Sequence, residues 1–116
     1  MHRFRELHVY QRGLELTRDV RALTKTFPRD ELYSLTSQFR RASYSIPMNI
    51  AEGAGRKTNK DFARFLDTAI GSAYECLSCL DIALINEFID KHSYERLNTI
   101  FDKEIAMIVG LKKSLS

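Results

Sequence analysis

Apolar residues recur three or four apart in four separate segments, and no stretch alternates with period two for long enough to make a sheet. The first segment runs from about His8 to Phe27, with Tyr10, Leu14, Thr17, Val20, Leu23 and Phe27 on one stripe and Pro28 to stop it. The second starts at Asp30, carries Leu32, Leu35, Phe39, Ala42, Ile46 and Ile50, and ends at Gly53 and Gly55. The third opens on Thr58-Asn59-Lys60-Asp61, which sets a hydroxyl three residues before a carboxylate, close to a capping box. Its stripe holds Phe62, Phe65, Leu66, Ala69, Ala73, Cys76, Leu77, Leu80, Ala83 and Leu84. After a link from Asn86 to His92, Ser93 is expected to cap a fourth helix bearing Leu97, Ile100, Phe101, Ile105, Ile108, Leu111 and Leu115.

At 116 residues the chain makes one domain, residues 1–116, with room for a thin core. Helices of roughly 20–27 residues span about 30–40 Å. Helices of matched length joined by short links pack up and down, so the expectation is all-α, an antiparallel four-helix bundle. Pro47 lies inside the second helix, where it removes an amide donor and crowds the carbonyl of Ser43. A kink near Ser43–Pro47 is predicted, with the hydroxyl of Ser43 or Ser45 taking up freed carbonyls. The alternative is a helix that ends near Ser45 and restarts with Pro47 in its first turn. Gly71 costs about 1 kcal/mol against alanine in a helix interior, so a close helix approach at Gly71-Ser72 is expected, within the bundle or between subunits.

A hydrophobic share of 44% and a charged share of 28% are ordinary for a soluble globular protein. The start Met1-His2-Arg3-Phe4 has no apolar run, and no stretch approaches the roughly 18 apolar residues of a membrane helix. A cytoplasmic location with no membrane partner is the expectation. Cys76 and Cys79 are three apart, as in redox and half-zinc motifs. Zinc needs about four ligands and His92 is the only histidine downstream, so both cysteines read as small core residues.

Charge is unevenly placed. Residues 1–60 hold 12 Lys/Arg and 6 Asp/Glu, and residues 61–116 hold 6 and 9. The front half can face a polyanion, or the two halves can simply attract each other. The turn Gly53-Ala54-Gly55-Arg56-Lys57-Thr58-Asn59-Lys60 lacks Walker spacing and follows no strand. Its Arg56, Lys57 and Lys60 are nevertheless placed to meet phosphates beside a helix amino terminus. Arg40 extends this patch, and Arg3, Arg5 and Arg12 form a second basic cluster. A solvated surface is the plain alternative for each of these residues.

Arg41, Asn49, Glu52 and Glu75 lie close to apolar stripes and are expected to form a structural polar network. Asn49 and Glu52 are three apart on one face, and Arg41 lies eight before Asn49. Paired carboxylates can do acid–base chemistry, but no nucleophile, motif histidine or phosphate loop accompanies them. Glu52 is followed at three by Gly55 and Glu75 by Ser78, so the Glu-x-x-His pairs of di-iron bundles are missing. No catalytic residue, cofactor or metal ligand is assigned, and the chain is expected not to be an enzyme.

Leu-Thr-Ser-Gln at 35–38, Arg40-Arg41-Ala42, Ser45-Ile46-Pro47 and Asn49-Ile50-Ala51-Glu52-Gly53 make a distinctive run. With Phe27-Pro28, Arg56, Phe62, Phe65-Leu66, Ala69, Gly71-Ser72 and Glu75, the chain resembles the 23S rRNA intervening-sequence (four-helix bundle) protein family from about Phe4 to Leu115. Tyr10 stands where that family often has tryptophan, Ser34 replaces a usual glycine, Cys76 a leucine and Met48 a small residue. These departures touch packing only. The resemblance implies an up-and-down bundle that assembles as a homo-oligomeric ring, usually a pentamer, and a commonly proposed role in binding RNA or DNA. It implies no demonstrated activity. Two functions are compatible with the residues: a ring protein that binds nucleic acid through a basic surface, and a scaffold that binds another protein, such as a mobile-element enzyme, through its acidic half and exposed Tyr44, Tyr74 and Tyr94.

Overall fold

Four α-helices account for most of the computed structural model, which describes residues 3–116. They are α1 (His8–Thr24), α2 (Ser37–Ala54), α3 (Asn59–Ile85) and α4 (Lys91–Ser114). A short 3-10 turn, Phe4–Glu6, precedes α1. A second, Arg29–Glu31, leads into a π-helical stretch, Leu32–Thr36, before α2. Successive helices pack side by side, α2 most extensively on α3, within an envelope of 43 × 24 × 19 Å. The α1–α4 seam that closes the bundle is the thinnest.

The expected stripes of α2, α3 and α4 meet at the centre, but α1 turns a different face inward, burying Val9, Gly13, Leu16 and Val20 and leaving Leu14 exposed. Phe39, Phe62, Phe101, Leu16, Ile46, Ile50, Leu66, Leu80, Leu97 and Ile108 are the large side chains sealed there. Phe27 stacks obliquely on Phe39 and Phe88, and Phe39 on Phe101, with centroids 5.8–6.4 Å apart. Each such buried side chain contributes roughly 1.5–3 kcal/mol, which is how a thin core holds helices of this length.

Local signals set most boundaries. The Thr58 hydroxyl accepts from the Asp61 amide at 3.1 Å and starts α3 at the expected place. The cap of α4 differs from expectation: Asp90 accepts from the Ser93 amide at 2.7 Å, so the helix begins at Lys91 and Ser93 lies inside it. A carboxylate at the N-cap also complements the helix dipole, which favours it over the hydroxyl three residues on. Its carboxyl is held below the ordinary range by that amide bond, by a second bond from Ser93 and by nearby His92.

The second helix holds the main departures. Regular α-helix starts at Ser37, not at Asp30, because the backbone leaves helical values at Tyr33 (φ −97°, ψ 15°) and Ser34 (φ −127°, ψ −108°). From Ser37 the helix runs through Pro47 without interruption, so it does not end and restart at the proline. Ser43 and Ser45 do not take up the carbonyl that Pro47 frees. The Ser43 hydroxyl donates to the Arg40 carbonyl, and the Ser45 hydroxyl shares a hydrogen bond with Ser72. Pro47 is buried against Gly13 of α1, where an added Cβ would lie 3.4 Å from the proline Cβ. Burying the ring on a helix that has no side chain there offsets part of the cost of a mid-helix proline.

Gly53 is not the helix terminator expected of it. It is buried in the last turn of α2, which Gly55 caps. Gly71 also departs from expectation: it is exposed, and among the described residues nothing beyond its own turn of helix lies within 4 Å of a Cβ built there. No close helix approach inside the bundle accounts for it.

Helix α3 corrects the expectation that no segment approaches a membrane span, since by length and composition it is apolar enough to cross one. The bundle gives that apolarity a use, because α3 packs on both α2 and α4. Cys76 and Cys79 are buried on it as free thiols. Burial pushes both thiols up, Cys79 to about 11, with the neighbouring Glu75 charge adding to it. Two units above the ordinary value leave about a hundredfold less thiolate at pH 8. The folded protein is therefore expected to react with a disulfide reagent such as DTNB at least a hundredfold more slowly than the urea-unfolded chain, as followed by absorbance. Equal rates would place the thiols outside the core.

Candidate nucleic-acid interface and polar seam

The up-and-down order brings the start of α1, the end of α2, the start of α3 and the end of α4 to the same end of the bundle. Asn59 at the head of α3 donates to the Leu115 carbonyl at the tail of α4, and Lys112 pairs with Asp67 at 2.7 Å. The turn holding Arg3 and Arg5 packs on α2. Residues 3–12, 52–67 and 112–116 together carry nine Lys/Arg against four Asp/Glu. The far end, residues 24–36 and 81–96, carries four against six. Apart from Arg40, the cationic residues of the two predicted clusters thus share one pole with Lys112 and Lys113, which sequence reasoning missed. The signal was available: antiparallel topology places the last turn of α4 beside the first of α3.

These cations are not equally available. Arg3 pairs with Glu6 at 3.5 Å and Arg12 with Glu15 at 3.7 Å. Arg5 lies over the Phe4 ring, 4.5 Å from its centroid. Arg56 reaches Glu52 at 3.3 Å and lies 4.6 Å from the Phe65 centroid. Such exposed i,i+3 and i,i+4 pairs contribute little stability, so a phosphate can compete for these residues. Lys57, Lys60 and Lys113 make no ion pair among the described residues. Lys60, Lys112 and Lys113 rim an apolar cleft of about 500 Å³ between α3 and α4, with Ile70 and Val109 in its wall. Arg40 does not join this pole. It is half-buried, and its Nε donates to the Thr24 hydroxyl at 2.9 Å, toward the opposite end.

The expected polar network is only partly assembled. Asn49 donates to the Ser45 carbonyl at 2.8 Å and to its hydroxyl at 2.9 Å, and Ser45 meets Ser72 across the α2–α3 seam at 2.7 Å. Glu75 accepts from Gln38 at 2.7 Å rather than from Arg41, although Arg41 lines the same groove. Glu52 is not in the network. It lies exposed at the end of α2, paired with Arg56. Helical spacing put Asn49 and Glu52 within one turn, but the second turns out of the seam.

The buried carboxyl is elsewhere. Glu104 of α4 is 2% exposed, and neither of its oxygens has a hydrogen-bond partner among the described residues. It lies against Gly13, where a Cβ would come within 3.3 Å of Oε2, beside a cavity of about 130 Å³ reached by Arg12 and Lys103. Burial pushes its carboxyl up to about 8, against the pull of Arg12 and with a small push from Glu15. Its position, three after Phe101 and four before Ile108, was the signal that it belongs to the core face. Among the described residues no three His, Cys, Asp or Glu side chains form a metal-ligating group. Of the tyrosines expected at the surface, Tyr74 is well exposed. The Tyr44 hydroxyl accepts from Arg21, and Tyr94 is half-buried and donates to Asp81 at 2.7 Å.

The fold is shared with a protein of unknown function from Bacteroides thetaiotaomicron, described as a member of the S23 ribosomal protein family. The TM-score is 0.84 at 24% identity, over 90% of this chain and 98% of that one. No curated protein matches the chain. The profile of the 23S rRNA-intervening sequence protein family matches residues 5–110, nearly the whole length. The signature residues around Pro47, the four-helix bundle and this match agree, and the chain belongs to the 23S rRNA-intervening sequence protein family.

Proposed function

We propose that this protein is a non-enzymatic, cytoplasmic nucleic-acid-associating protein that works as a homo-oligomeric ring and contacts phosphates with the basic pole of the bundle. The observation that carries the reading is the gathering of nine cations from three distant parts of the sequence at one end, with Lys57, Lys60 and Lys113 in no ion pair among the described residues. A single pole of this size binds weakly. A ring, for which a pentamer is the expected form, multiplies it by presenting several copies to one polyanion. No base-reading motif lies at the pole, so binding there is independent of sequence and steep in salt.

Filter binding of a structured ribosomal RNA fragment at several salt concentrations tests this. Substituting Lys57, Lys60 and Lys113 together by glutamine is expected to weaken binding at least tenfold and to lower the slope of log K against log salt by about 2 for each subunit engaged, roughly 0.7 per lost single-strand contact. Glutamine at Lys25, Arg29 and Lys91, at the far pole, is expected to change affinity less than twofold. No binding by the wild-type oligomer at low salt sinks the reading, and a 13.4 kDa species at micromolar concentration in sedimentation sinks the ring.

A further inference from the structure

Away from the basic pole, α2 and α3 enclose a polar groove that the phosphate contacts do not use. It consists of two adjoining clefts of about 350 and 410 Å³, both lined by Gln38, Arg41 and Glu75. Its floor is already hydrogen-bonded through the Ser45–Ser72 pair. Its walls are not. Arg41 has no hydrogen bond or ion pair among the described residues. Gln38 engages one lone pair of Oε2 of Glu75 and holds that carboxylate in place, leaving Oε1 and the other lone pair of Oε2 open. At the mouth is Tyr33, 93% exposed, where the helical backbone is interrupted.

A fixed carboxylate, a free guanidinium and an open aromatic face are complementary to one nucleobase in particular. We propose that the α2–α3 groove binds an unpaired guanine, with its Watson–Crick edge on Glu75, O6 or N7 on Arg41, and its ring stacked on Tyr33. Guanine alone sets two adjacent donors, N1–H and N2–H, on that edge, which a carboxylate accepts together. Its O6 and N7 are the acceptors that arginine meets best. Adenine and cytosine offer one donor beside a ring acceptor, and uracil flanks its donor with two carbonyls that repel the carboxylate. Exposed tyrosines stack on unpaired bases of any kind, so Tyr33 supplies affinity and the Glu75–Arg41 pair supplies choice. Glu31 and Glu75 together outnumber Arg41 in the groove, which disfavours a phosphate there and admits a base edge.

The base has two sources, a free nucleotide or a strand held by the basic pole, and the strand source rests on the function proposed above. The pole and groove are compatible with one strand. Arg41 and Arg56 are 15 residues apart along and just beyond α2, roughly 22 Å at 1.5 Å per residue.

Fluorescence anisotropy with labelled uridine decamers, carrying one central guanosine or one central adenosine, tests the groove beside a direct titration with GMP. The guanosine decamer is expected to bind about tenfold more tightly than the adenosine decamer, within the discrimination of one good two-point base contact. Glu75→Gln is expected to abolish that ratio while preserving the salt slope. Tyr33→Ala is expected to weaken both decamers and preserve the ratio. GMP binding that Glu75→Gln removes, with no decamer bound at all, supports the groove as a free-nucleotide site and overturns the nucleic-acid reading instead. Decamers bound equally by the wild type, or a guanosine preference that survives Glu75→Gln, overturns the proposal and leaves the basic pole untouched.

Discussion

Replacing Glu104 by glutamine is expected to leave stability unchanged near pH 4 and to raise it by roughly 3 kcal/mol at pH 7. The folded carboxyl titrates at about 8, against 4.5 for an ordinary glutamate. The folded state therefore keeps a proton that the unfolded chain gives up. Below pH 4.5 both forms are protonated and no penalty exists. Between 4.5 and 8 stability falls with rising pH by about 1.4 kcal/mol per unit, and above 8 the loss levels off. The groups facing Glu104 are Arg12 and Glu15 from α1, Lys103 from its own helix and the uncharged Gly13–Pro47 contact. Arg12 and Glu15 act in opposite directions and do not cancel the cost of burial. Glutamine is nearly isosteric and cannot ionise, so its stability should be flat through this window. Urea titrations at pH 4, 7 and 9 check it. A wild-type midpoint that does not fall between pH 4 and 9 would show the carboxyl to be solvated or paired.

Gly53→Ala is expected to destabilise the fold by about 2 kcal/mol, and Gly53→Val by more. A Cβ at this position would come within 2.6 Å of the Phe65 Cβ and 2.9 Å of the Phe62 Cδ1. One contact atom is anchored directly on the backbone of α3, and Phe62 is 1% exposed and held by the core. Neither can step aside, so α2 and α3 must separate where they pack most extensively. Overpacking of this kind costs roughly 1–3 kcal/mol, which outweighs the gain of about 1 kcal/mol that alanine brings to a helix. Gly71→Ala offers the contrast. It sits in the middle of α3 with open space around it, so the intrinsic gain of about 1 kcal/mol is expected in the folded subunit. Denaturant midpoints of opposite sign for the two variants would bear out both placements.

The two glycines show what a one-dimensional reading resolves. Gly53 follows a helical stripe and precedes a turn, so it reads as a terminator, yet its role is to let another helix come close. Gly71 reads as a close contact and faces open space. In both cases the residue type signals that a side chain is unwelcome or unneeded, and only the neighbouring helix says which. The polar residues behave alike. Asn49 and Glu75 reach the α2–α3 seam, whereas Glu52, one turn beyond Asn49, faces out. Glu104 passed unnoticed because a single charged residue in an apolar stripe is usually at its margin. The capping signals show the limit at shorter range. Thr58 was legible because its partner amide is three residues away, but Asp90 and Ser93 competed for one helix start and differ only in local backbone.

By itself the sequence determined the number and order of the helices, the family, and the core stripes of α2, α3 and α4, but not the face of α1, where Leu16 is buried and the expected Leu14 is exposed. These depend on a 3.6-residue period and on contacts a few residues apart, which the chain specifies directly. Tertiary structure decided what each stripe meets. It drew Lys112 and Lys113 to the basic pole, sealed Glu104 against Gly13, carried α2 through Pro47 and opened the groove between Arg41 and Glu75. Helical periodicity names the residues on a face, but burial, charge and affinity depend on the distance to the next helix, and that distance is settled only when all four are packed.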